Sequence, residues 1–342
     1  MSGRALFRNP TWSGLRPGLP AFEPAPEALS RAIQQVTGLR GQVLRARLGS
    51  GAPTCARFEP EKAAPLFLKI VPASRGGSLH ETERLARWLA DQGLFVNACL
   101  PGYPRPFDPT HVVCAYPYRE GRRPRAEARD LEALGASLAE LHRTLARYPD
   151  RARLEEATDA RFSQLHRARG ELARGRRAGP DPGALLALAR DGSSAFQGRS
   201  ATSTPIHDDL NPGNILFTED SDRPLFLDFE DALHSVLPPI YDLAVVIERI
   251  VLVSEVRDSE ASALGSRFLA AYRGGGGCAA AGTDEDLVAC IRGRALRALC
   301  TLALSEWSEV PVEREEWAKF VFLEELARER RDVLRAIWSS GE

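Results

Sequence analysis

Hydrophobic and polar residues alternate in three short segments between residues 41 and 72. The segment "GQVLRARLGS" alternates and ends in glycine, "PTCARFEP" follows it, and "PLFLKIVP" is an apolar run between two prolines. A period of two is typical of strands, and glycine and proline mark the turns between them. The pattern predicts three antiparallel strands here and a fourth strand in "THVVCAYPY".

Helical spacing appears after the third predicted strand. Leu85, Trp88 and Leu89 form one stripe in "SLHETERLARWLADQG", and Gly93 marks its end. A second stripe of leucines occupies positions 131, 134, 138, 141 and 145. The segments "DLVACIRGRALRALCTLALSEW" and "REEWAKFVFLEELARERRDVLRAIW" predict long amphipathic helices near the C-terminus. We therefore expect an α+β fold, in which a small antiparallel sheet precedes a larger, mainly helical part.

The composition narrows the class of partner. The chain has 342 residues, a length that suits one large domain or two lobes. Its 45 basic and 46 acidic residues leave a formal net charge of −1, so no global field attracts nucleic acid or an anionic membrane. No segment reaches the roughly 18 uninterrupted apolar residues of a membrane helix, and the N-terminus lacks the apolar run of a signal sequence.

The six cysteines are scattered, with no CxxC pair and no cluster at zinc spacing. They indicate buried thiols in a reducing compartment, so we expect a cytoplasmic protein with a small or locally recognised partner. The sequence leaves its oligomeric state open.

Lysine is scarce in this chain. Lys62, Lys69 and Lys319 are its lysines, and the other 42 basic residues are arginines. Lys69 stands inside the apolar run "LFLKIV", where the compact charge of an ammonium group is the property that arginine does not supply.

Two polar segments each adjoin a short apolar run. In "IHDDLNPGNILF" the run follows Asn214, and in "PLFLDFEDALHS" it precedes Asp228, so a hairpin would bring these two side chains together. Amide and carboxylate oxygens are ligands that suit Mg²⁺. Asp209 stands five positions before Asn214, which is the D-x-x-x-x-N spacing of phosphoryl-transfer catalytic loops.

The loop from His207 to Asn214 reads H-D-D-L-N-P-G-N and resembles the H-G-D-[LIF]-[HN]-x-x-N loop of the aminoglycoside phosphotransferase and choline kinase family. The D-F-E turn at Asp228 and "PPIYDLA", which contains Asp242, match further elements of that family. The resemblance implies a two-lobed protein-kinase-like fold. It divides the chain into an N-terminal extension, a sheet-containing N-lobe and a helical C-lobe, over residues 1–28, 29–117 and 118–342.

The resemblance also implies the roles of individual residues. Asp209 would orient the acceptor hydroxyl and receive its proton, while Asn214 and Asp228 would hold Mg²⁺ and Lys69 would contact the phosphates of ATP. Among nucleotide-binding residues, Gly49 and Gly51 would form the turn that covers the phosphates. Tyr116 and Tyr118 would offer backbone groups to adenine where the lobes join.

A helix glutamate is expected to hold Lys69, and two candidates follow it in sequence. Glu81 lies four and seven positions before Leu85 and Trp88 and so shares their inward stripe, whereas Glu83 aligns with Arg87. Glu81 is the preferred partner.

Position 208 departs from the family pattern, because Asp208 stands where the family has glycine. A carboxylate there would repel the charge of Asp209 or attract a cationic substrate. His207 and Asp242 are expected to be structural, the first bracing the loop and the second holding backbone amides. Most of the acidic residues near the C-terminus are expected to be solvated helix faces, and one or two would bind a substrate ammonium: Glu306, Glu309, Glu313, Glu315 and Glu316.

The function implied is an ATP- and Mg²⁺-dependent phosphotransferase that acts on a hydroxyl group of a small molecule, such as an amino sugar or aminoglycoside, an amino alcohol or a sugar. A protein Ser/Thr kinase of the same fold is one alternative, although no A-P-E activation segment follows Asp228. A non-catalytic nucleotide-binding regulatory module is a second alternative. A hydrolytic metal centre is a third, although no HxH or HExxH motif supplies imidazole ligands.

Overall fold

The computed structural model of the chain describes residues 21–46, 54–191, 198–254, 256–277 and 284–339. The strands, in chain order, are β1 (Phe22–Pro24), β2 (Gly41–Ala46), β3 (Thr54–Pro60), β4 (Leu66–Pro72), β5 (Arg105–Asp108), β6 (His111–Pro117), β7 (Gly121–Arg122), β8 (Thr204–Pro205), β9 (Ile215–Thr218), β10 (Pro224–Phe226) and β11 (Val236–Leu237). The helices are α1 (Glu27–Thr37), α2 (Gly76–Asp91), α3 (Ala128–Leu145), α4 (Arg151–Ala173), α5 (Pro182–Arg190), α6 (Ile240–Val246), α7 (Asp258–Gly274), α8 (Asp284–Trp307), α9 (Arg314–Glu329) and α10 (Arg331–Ser339). A π-helical segment, Ile247–Leu252, continues α6.

The described residues form two compact units, which we name the sheet unit and the helical unit. The sheet unit comprises residues 21–123 and 216–233, and the helical unit comprises residues 124–215 and 234–339. These limits differ from the predicted lobes, because the segment that carries Asp228 groups with the sheet. Residues 21–28 of the predicted extension contain β1 and the start of α1, whereas residues 1–20 lie outside the described part.

The sheet unit contains a six-stranded sheet in the order β1-β2-β3-β4-β6-β5. The register pairs β2 with β3, β3 with β4 and β4 with β6, each in antiparallel orientation. This arrangement confirms the three strands predicted from alternation and the fourth in "THVVCAYPY". Lys69 pairs with Cys55 on one side and Cys114 on the other, so it lies on a central strand of the sheet.

Alternation along the central strands gives the sheet two apolar faces. On one face, Leu68 and Ile70 of β4 pack with Phe58 and with Ile33 of α1. On the other face, Val71 packs with residues that include Leu79 of α2. Because the side chains of a strand alternate between faces, Lys69 lies on the same face as Val71, the face that α2 covers.

A second sheet of the same unit has the order β10-β9-β7. In it, Arg122 of β7 is opposite Phe217 of β9, and Gly121 is opposite Thr218. The apolar runs predicted on either side of the polar segments are therefore strands. Their pairing fixes Asp228, which follows β10, to the sheet unit.

The helical unit is built around the predicted leucine stripe of α3. All five leucines of that stripe are fully buried, and α3 packs against α7. Gly135 permits this packing, because a Cβ atom at this position would lie only 2.4 Å from the carbonyl oxygen of Phe268. The last predicted amphipathic segment forms two helices rather than one, since α9 ends at Glu329 and α10 begins at Arg331.

No helix within the described ranges is long and apolar enough to cross a membrane. Five of the six cysteines are described, and all five are buried free thiols, as the scattered spacing predicts: Cys55, Cys99, Cys114, Cys290 and Cys300. Cys278 lies outside the described residues.

Candidate active site

The loop before β9 brings three polar side chains of the predicted motif together. Asn211 and Asn214 both donate a side-chain hydrogen bond to Oδ2 of Asp209, at 2.9 and 2.8 Å. Asn211 also accepts a hydrogen bond from the amide of Gly213 at 2.7 Å, which caps the short 3₁₀ turn Pro212–Asn214. The side chain of Asp209 is 38% exposed, so its carboxylate is both oriented and accessible.

A buried carboxylate anchors the start of this loop. Asp242 is fully buried and accepts hydrogen bonds from the amides of His207 and Asp208 at 2.8 and 2.7 Å. Its Oδ2 atom also lies 2.9 Å from Nε2 of His142. The structure thus confirms that Asp242 holds backbone amides. His207 accepts a hydrogen bond at Nδ1 from the amide of Asp209, at 3.3 Å, so its predicted bracing role is also confirmed.

Asp208 is buried inside the helical unit and is bound by basic side chains. Its Oδ1 and Oδ2 atoms accept hydrogen bonds from Arg297 Nη2 at 2.8 and 2.6 Å, and Ser235 donates to Oδ2 at 2.7 Å. Burial alone would raise the pKa of this carboxyl, but the charges of Arg297 and Arg294 outweigh it and hold the pKa well below its usual range. The predicted attraction of a cationic substrate is therefore wrong, because Asp208 is buried and its charge is paired with Arg297. The predicted repulsion of Asp209 stays a prediction.

In the sheet unit, Lys69 meets two carboxylates that follow β10. Its Nζ atom lies 3.0 Å from Oδ2 of Asp228 and 2.6 Å from Oε1 of Glu230. Burial would lower the pKa of the ammonium group, yet the two negative charges outweigh that effect and raise the pKa above its ordinary value. Lys69 is therefore a largely buried cation inside the apolar strand.

The predicted orientation of α2 needs correction. Glu83, rather than Glu81, lies on the buried face, and its carboxylate accepts hydrogen bonds from the amide of Cys99 at 2.9 Å and from the hydroxyl of Tyr116. Glu81 is half-buried. The carboxylates that pair with Lys69 are Asp228 and Glu230, so the pair expected with a helix glutamate is not the one present.

That misassignment has a simple cause. Trp88, a residue of the predicted inward stripe, is itself half-buried. The buried positions of α2 are Gly76, Leu79, Thr82, Glu83, Leu85, Ala86 and Leu89. A role for Glu81 in nucleotide binding stays a prediction.

Of the other residues predicted to bind nucleotide, the two tyrosines lie at the end of β6, and the two glycines are not among the described residues. Tyr116 lies in β6 opposite Phe67, and the amide of Tyr118 donates to the carbonyl oxygen of Pro65 at 3.0 Å. The N–H of Tyr118 is thus already engaged, and contact of either tyrosine with adenine stays a prediction. Gly49 and Gly51 lie outside the described residues.

Asn214 and Asp228 each have an oxygen donor of the kind that suits magnesium. The side-chain nitrogen of Asn214 donates hydrogen bonds to Asp209, so the side-chain oxygen of Asn214 is the atom that can bind a cation. Asp228 has a left-handed backbone with φ of 59°, and its side chain is 41% exposed. Each residue supplies a hard oxygen donor of the kind that Mg²⁺ takes together with substrate phosphates. That the two residues hold one ion together stays a prediction.

Cations that no motif identified lie near Asp209 or beside the ring of Phe320. The Nη2 atom of Arg294 is 3.9 Å from Oδ1 of Asp209. Lys319 and Arg249 lie 4.8 and 5.6 Å from the ring centroid of Phe320. Lys319 is one of the three lysines of the chain, so the scarcity of lysine is the sequence feature from which it could have been identified.

Two of the C-terminal glutamates have partners inside the helical unit. Glu316 forms an ion pair with Lys319, and Glu306 accepts a hydrogen bond from the amide of Gly179 at 3.0 Å. The pKa of Lys319 is lowered, chiefly by burial and further by the charge of Arg249, although Glu316 and Asp209 act in the opposite direction. Binding of a substrate ammonium by these glutamates stays a prediction.

The chain matches the sequence profile of a known enzyme family. The profile of the phosphotransferase enzyme family matches residues 46–280, which is more than half of the chain. No curated protein sequence matches the chain.

Three solved structures illustrate the shared fold. Amicoumacin kinase hAmiN, in complex with AMP-PNP, Ca²⁺ and Ami, is 18% identical with a TM-score of 0.62, and the match covers 90% of this chain and 94% of that one. Spectinomycin phosphotransferase, in complex with ADP and spectinomycin, is 12% identical with a TM-score of 0.61, over 93% and 99%. Macrolide 2′-phosphotransferase from Brachybacterium faecium is 19% identical with a TM-score of 0.55, over 86% and 98%. At these identities the likeness establishes the fold, and it confirms the predicted protein-kinase-like class.

Proposed function

The chain belongs to the phosphotransferase enzyme family, and from that premise we propose that it transfers the γ-phosphoryl group of ATP, with Mg²⁺, to a hydroxyl group of a small molecule. As a phosphotransferase it needs a group that receives the proton of the acceptor hydroxyl, groups that bind the phosphates, and ligands for a metal ion.

The observation that carries this proposal is the geometry of Asp209. Its Oδ2 atom is held by Asn211 and Asn214, and its side chain remains 38% exposed. A carboxylate that is oriented by its neighbours and open to a ligand is suited to orient a hydroxyl and to take its proton during transfer. Asn214 then has a second role, because its amide oxygen is left to bind a cation.

The other residues of the site bind and position the donor. Lys69 places a buried positive charge on the central strand, where it suits phosphate oxygens. Asp228 and Asn214 would hold Mg²⁺, which when bound neutralises the charge that develops on the transferred group. The 3.0 Å contact of Lys69 with Asp228 in the sheet unit supports roles for these two residues in binding the phosphates and the metal ion.

The acceptor class rests on the known relatives of the fold. One similar structure is an amicoumacin kinase in complex with AMP-PNP, Ca²⁺ and Ami, a second is a spectinomycin phosphotransferase in complex with ADP and spectinomycin, and a third is a macrolide 2′-phosphotransferase. Amino sugars or aminoglycosides, amino alcohols and sugars are the acceptors to test first. The path from Asp228 to α6 disfavours a protein acceptor, since it holds only a short 3₁₀ turn at Asp231–His234 and strand β11, with no activation segment.

The test is ATP turnover with Mg²⁺ against separate pools of amino sugars, aminoglycosides, choline-like alcohols, nucleosides and sugars. Wild type is compared with Asp209→Asn, which removes the base and keeps the shape of the side chain. Asp220→Asn is the control, because Asp220 is an exposed aspartate in the turn between β9 and β10.

We expect turnover with one pool, its loss in Asp209→Asn and its retention in Asp220→Asn. Chelation of Mg²⁺ should abolish the turnover and added Mg²⁺ should restore it. Normal ATP binding without turnover of any pool would count against the proposal and would favour a regulatory nucleotide-binding module, and phosphorylation of lysate proteins would indicate a protein kinase.

A further inference from the structure

Asp208 adopts a backbone conformation that side-chain-bearing residues rarely take. Its φ is 62°, in the left-handed region, and it stands where the resembling family has glycine. Aspartate tolerates this region better than most residues, but its Cβ still makes the conformation less favourable than it is for glycine. Neighbouring groups must therefore stabilise the bend immediately before Asp209.

Every polar group of Asp208 is engaged. Its amide donates to Asp242 at 2.7 Å, and its carbonyl oxygen accepts a hydrogen bond from Arg294 at 2.7 Å. Its carboxylate is held by Arg297 and Ser235. The residue is thus fixed at its amide, its carbonyl and its side chain, all inside the helical unit.

The two arginines come from one face of α8. Arg294 and Arg297 are three residues apart, a spacing that places side chains next to each other on a helix. Both are largely buried, with side chains 13% and 8% exposed. Since the side chain of Asp208 is only 3% exposed, its ion pair with Arg297 is shielded from solvent.

Arg294 extends this contact to the next residue. The same guanidinium that donates to the Asp208 carbonyl at 2.7 Å lies 3.9 Å from Oδ1 of Asp209. The opposite oxygen of Asp209 is bound by Asn214. The carboxylate of Asp209 therefore has an amide group on one side and a guanidinium group on the other.

We propose that Asp208, Arg294 and Arg297 are positioning residues for phosphoryl transfer. The buried ion pair of Asp208 with Arg297 holds the left-handed bend that glycine adopts without assistance, and Arg294 links that bend to Asp209. This inference rests on the proposed function, in which Asp209 is the base. It assigns Asp208 to the geometry of the loop and not to substrate binding.

The test compares variants that separate the backbone bend from the ion pair. Arg297→Met leaves Asp208 as a buried charge without its main partner. Asp208→Gly likewise leaves Arg297 as a buried charge without the carboxylate that it binds. The double variant Asp208→Gly/Arg297→Met removes both charges and supplies the residue that needs no help at this φ. The double variant Asp208→Ala/Arg297→Met removes both charges but keeps a Cβ in the left-handed region.

Two measurements are made on the full chain. One is amide hydrogen exchange of the peptide that covers residues 206–217, which needs no substrate. The other is kcat and KM for MgATP and for the acceptor pool that wild type uses. Arg292→Met is the matched control, because Arg292 lies on α8 with the same 13% exposure, and its partners are Glu324 and Asp191 instead of loop residues.

In Arg297→Met we expect faster amide hydrogen exchange of the loop. We expect kcat to fall by about 100-fold, because a misplacement near 1 Å has a cost of that size. The KM for the acceptor should change little. The glycine double variant should regain protection and most of kcat, and the alanine double variant should not. Arg294→Met should lower kcat, and Arg294→Lys should restore part of it. Arg292→Met should leave loop exchange and kcat at wild-type values.

Equal protection and equal kcat in the glycine and alanine double variants would overturn the inference, because the pair would then not be holding the bend. A rise in acceptor KM at unchanged kcat in Arg297→Met would overturn it too, since that pattern belongs to substrate binding. If wild type turns over no pool, the proposed function fails, and the exchange of the double variants still decides whether the ion pair holds the loop. Urea denaturation identifies any variant that has simply unfolded.

Discussion

The side-chain nitrogen of Asn214 donates hydrogen bonds to both Oδ2 and the main-chain oxygen of Asp209, each at 2.8 Å. This contact couples the proposed base to a proposed metal ligand, because the orientation of one amide group serves both. The nitrogen fixes the Asp209 carboxylate. The oxygen of the same amide takes no part in these two bonds and is the atom proposed to bind the metal ion.

Substitution of Asn214 separates these two roles. Asn214→Asp keeps an oxygen ligand but replaces the donor to Asp209 with a repelling carboxylate, whereas Asn214→Leu removes both. We expect kcat to fall by about 100-fold in either variant, because the base loses its orientation. Only Asn214→Leu should also require much more Mg²⁺, measured by Mg²⁺ titration of turnover. An Asn214→Asp enzyme with wild-type kcat would show that the hydrogen bond to Asp209 is unimportant.

Lys69 and Lys62 form a matched pair of lysines for a charge-removal test. Lys69 is largely buried between Asp228 and Glu230, whereas Lys62 is exposed in the turn between β3 and β4. Lys69→Met should reduce kcat/KM for ATP by about 10²-fold or more, because it removes a charge that stabilises the phosphates and leaves two carboxylates near each other. Steady-state kinetics with varied MgATP should show no such change for Lys62→Met.

The ion pair of Asp208 predicts a specific acid sensitivity. Its folded-state pKa lies below the ordinary value of 3.8, so the unfolded chain binds the proton more readily and stability falls as the pH falls through this region. The contribution is complete above about pH 5 and declines below it, by up to about 1.4 kcal/mol per pH unit. Urea denaturation of wild type between pH 6 and pH 3 should show a steeper loss than that of Asp208→Asn. Equal slopes would mean that Asp208 does not remain charged in the folded protein.

Asp242 should contribute strongly to stability although it takes no part in the reaction. Asp242→Ala leaves the buried amides of His207 and Asp208 without an acceptor, at about 1–3 kcal/mol each. Tyr272→Phe is the milder comparison, since it removes the hydroxyl that lies 2.8 Å from Nδ1 of His142 and should cost about 1 kcal/mol. Chemical denaturation measures both, and a stable Asp242→Ala protein would contradict the anchoring role.

The thiol of Cys55 should react slowly in the folded protein. It is 7% exposed beside Lys69 on the neighbouring strand, and burial raises its pKa to about 11 despite the nearby ammonium. Because the thiolate is the reactive form, native protein at pH 8 should incorporate iodoacetamide at Cys55 far more slowly than protein in urea. Peptide mass spectrometry identifies the labelled cysteine. Rapid labelling of native Cys55 would show that the N-terminal end of β3 opens.

Part of the fold could be predicted because its information is local. Alternation over residues 41–72 identified β2, β3 and β4, and the leucine spacing identified α3, since the period of a buried face follows from backbone geometry. The sequence pattern was a poorer guide to which face of a helix is buried. On α2 the apolar marker Trp88 is half-buried, while the charged Glu83 is buried because Cys99 and Tyr116 satisfy its carboxylate.

The site shows the same division. The five-residue spacing of Asp209 and Asn214 was sufficient to recognise the motif, and a short turn brings the two side chains into contact. The environment of Asp208 could not be predicted, since its partners Arg294 and Arg297 lie 86 and 89 residues further along the chain. Neither arginine belongs to a recognisable motif, and only the position of α8 brings them to the loop.

The sequence by itself thus determined the strands, the leucine stripe and the motif of the proposed catalytic loop, all of which depend on residues close together in the chain. Tertiary structure decided which carboxylates are neutralised and which stay accessible. Asp208 and Asp209 are adjacent and chemically identical, yet one is 3% and the other 38% exposed. The difference arises because the burial and the charge of a side chain are set by elements that pack against it, and those elements come from distant parts of the sequence.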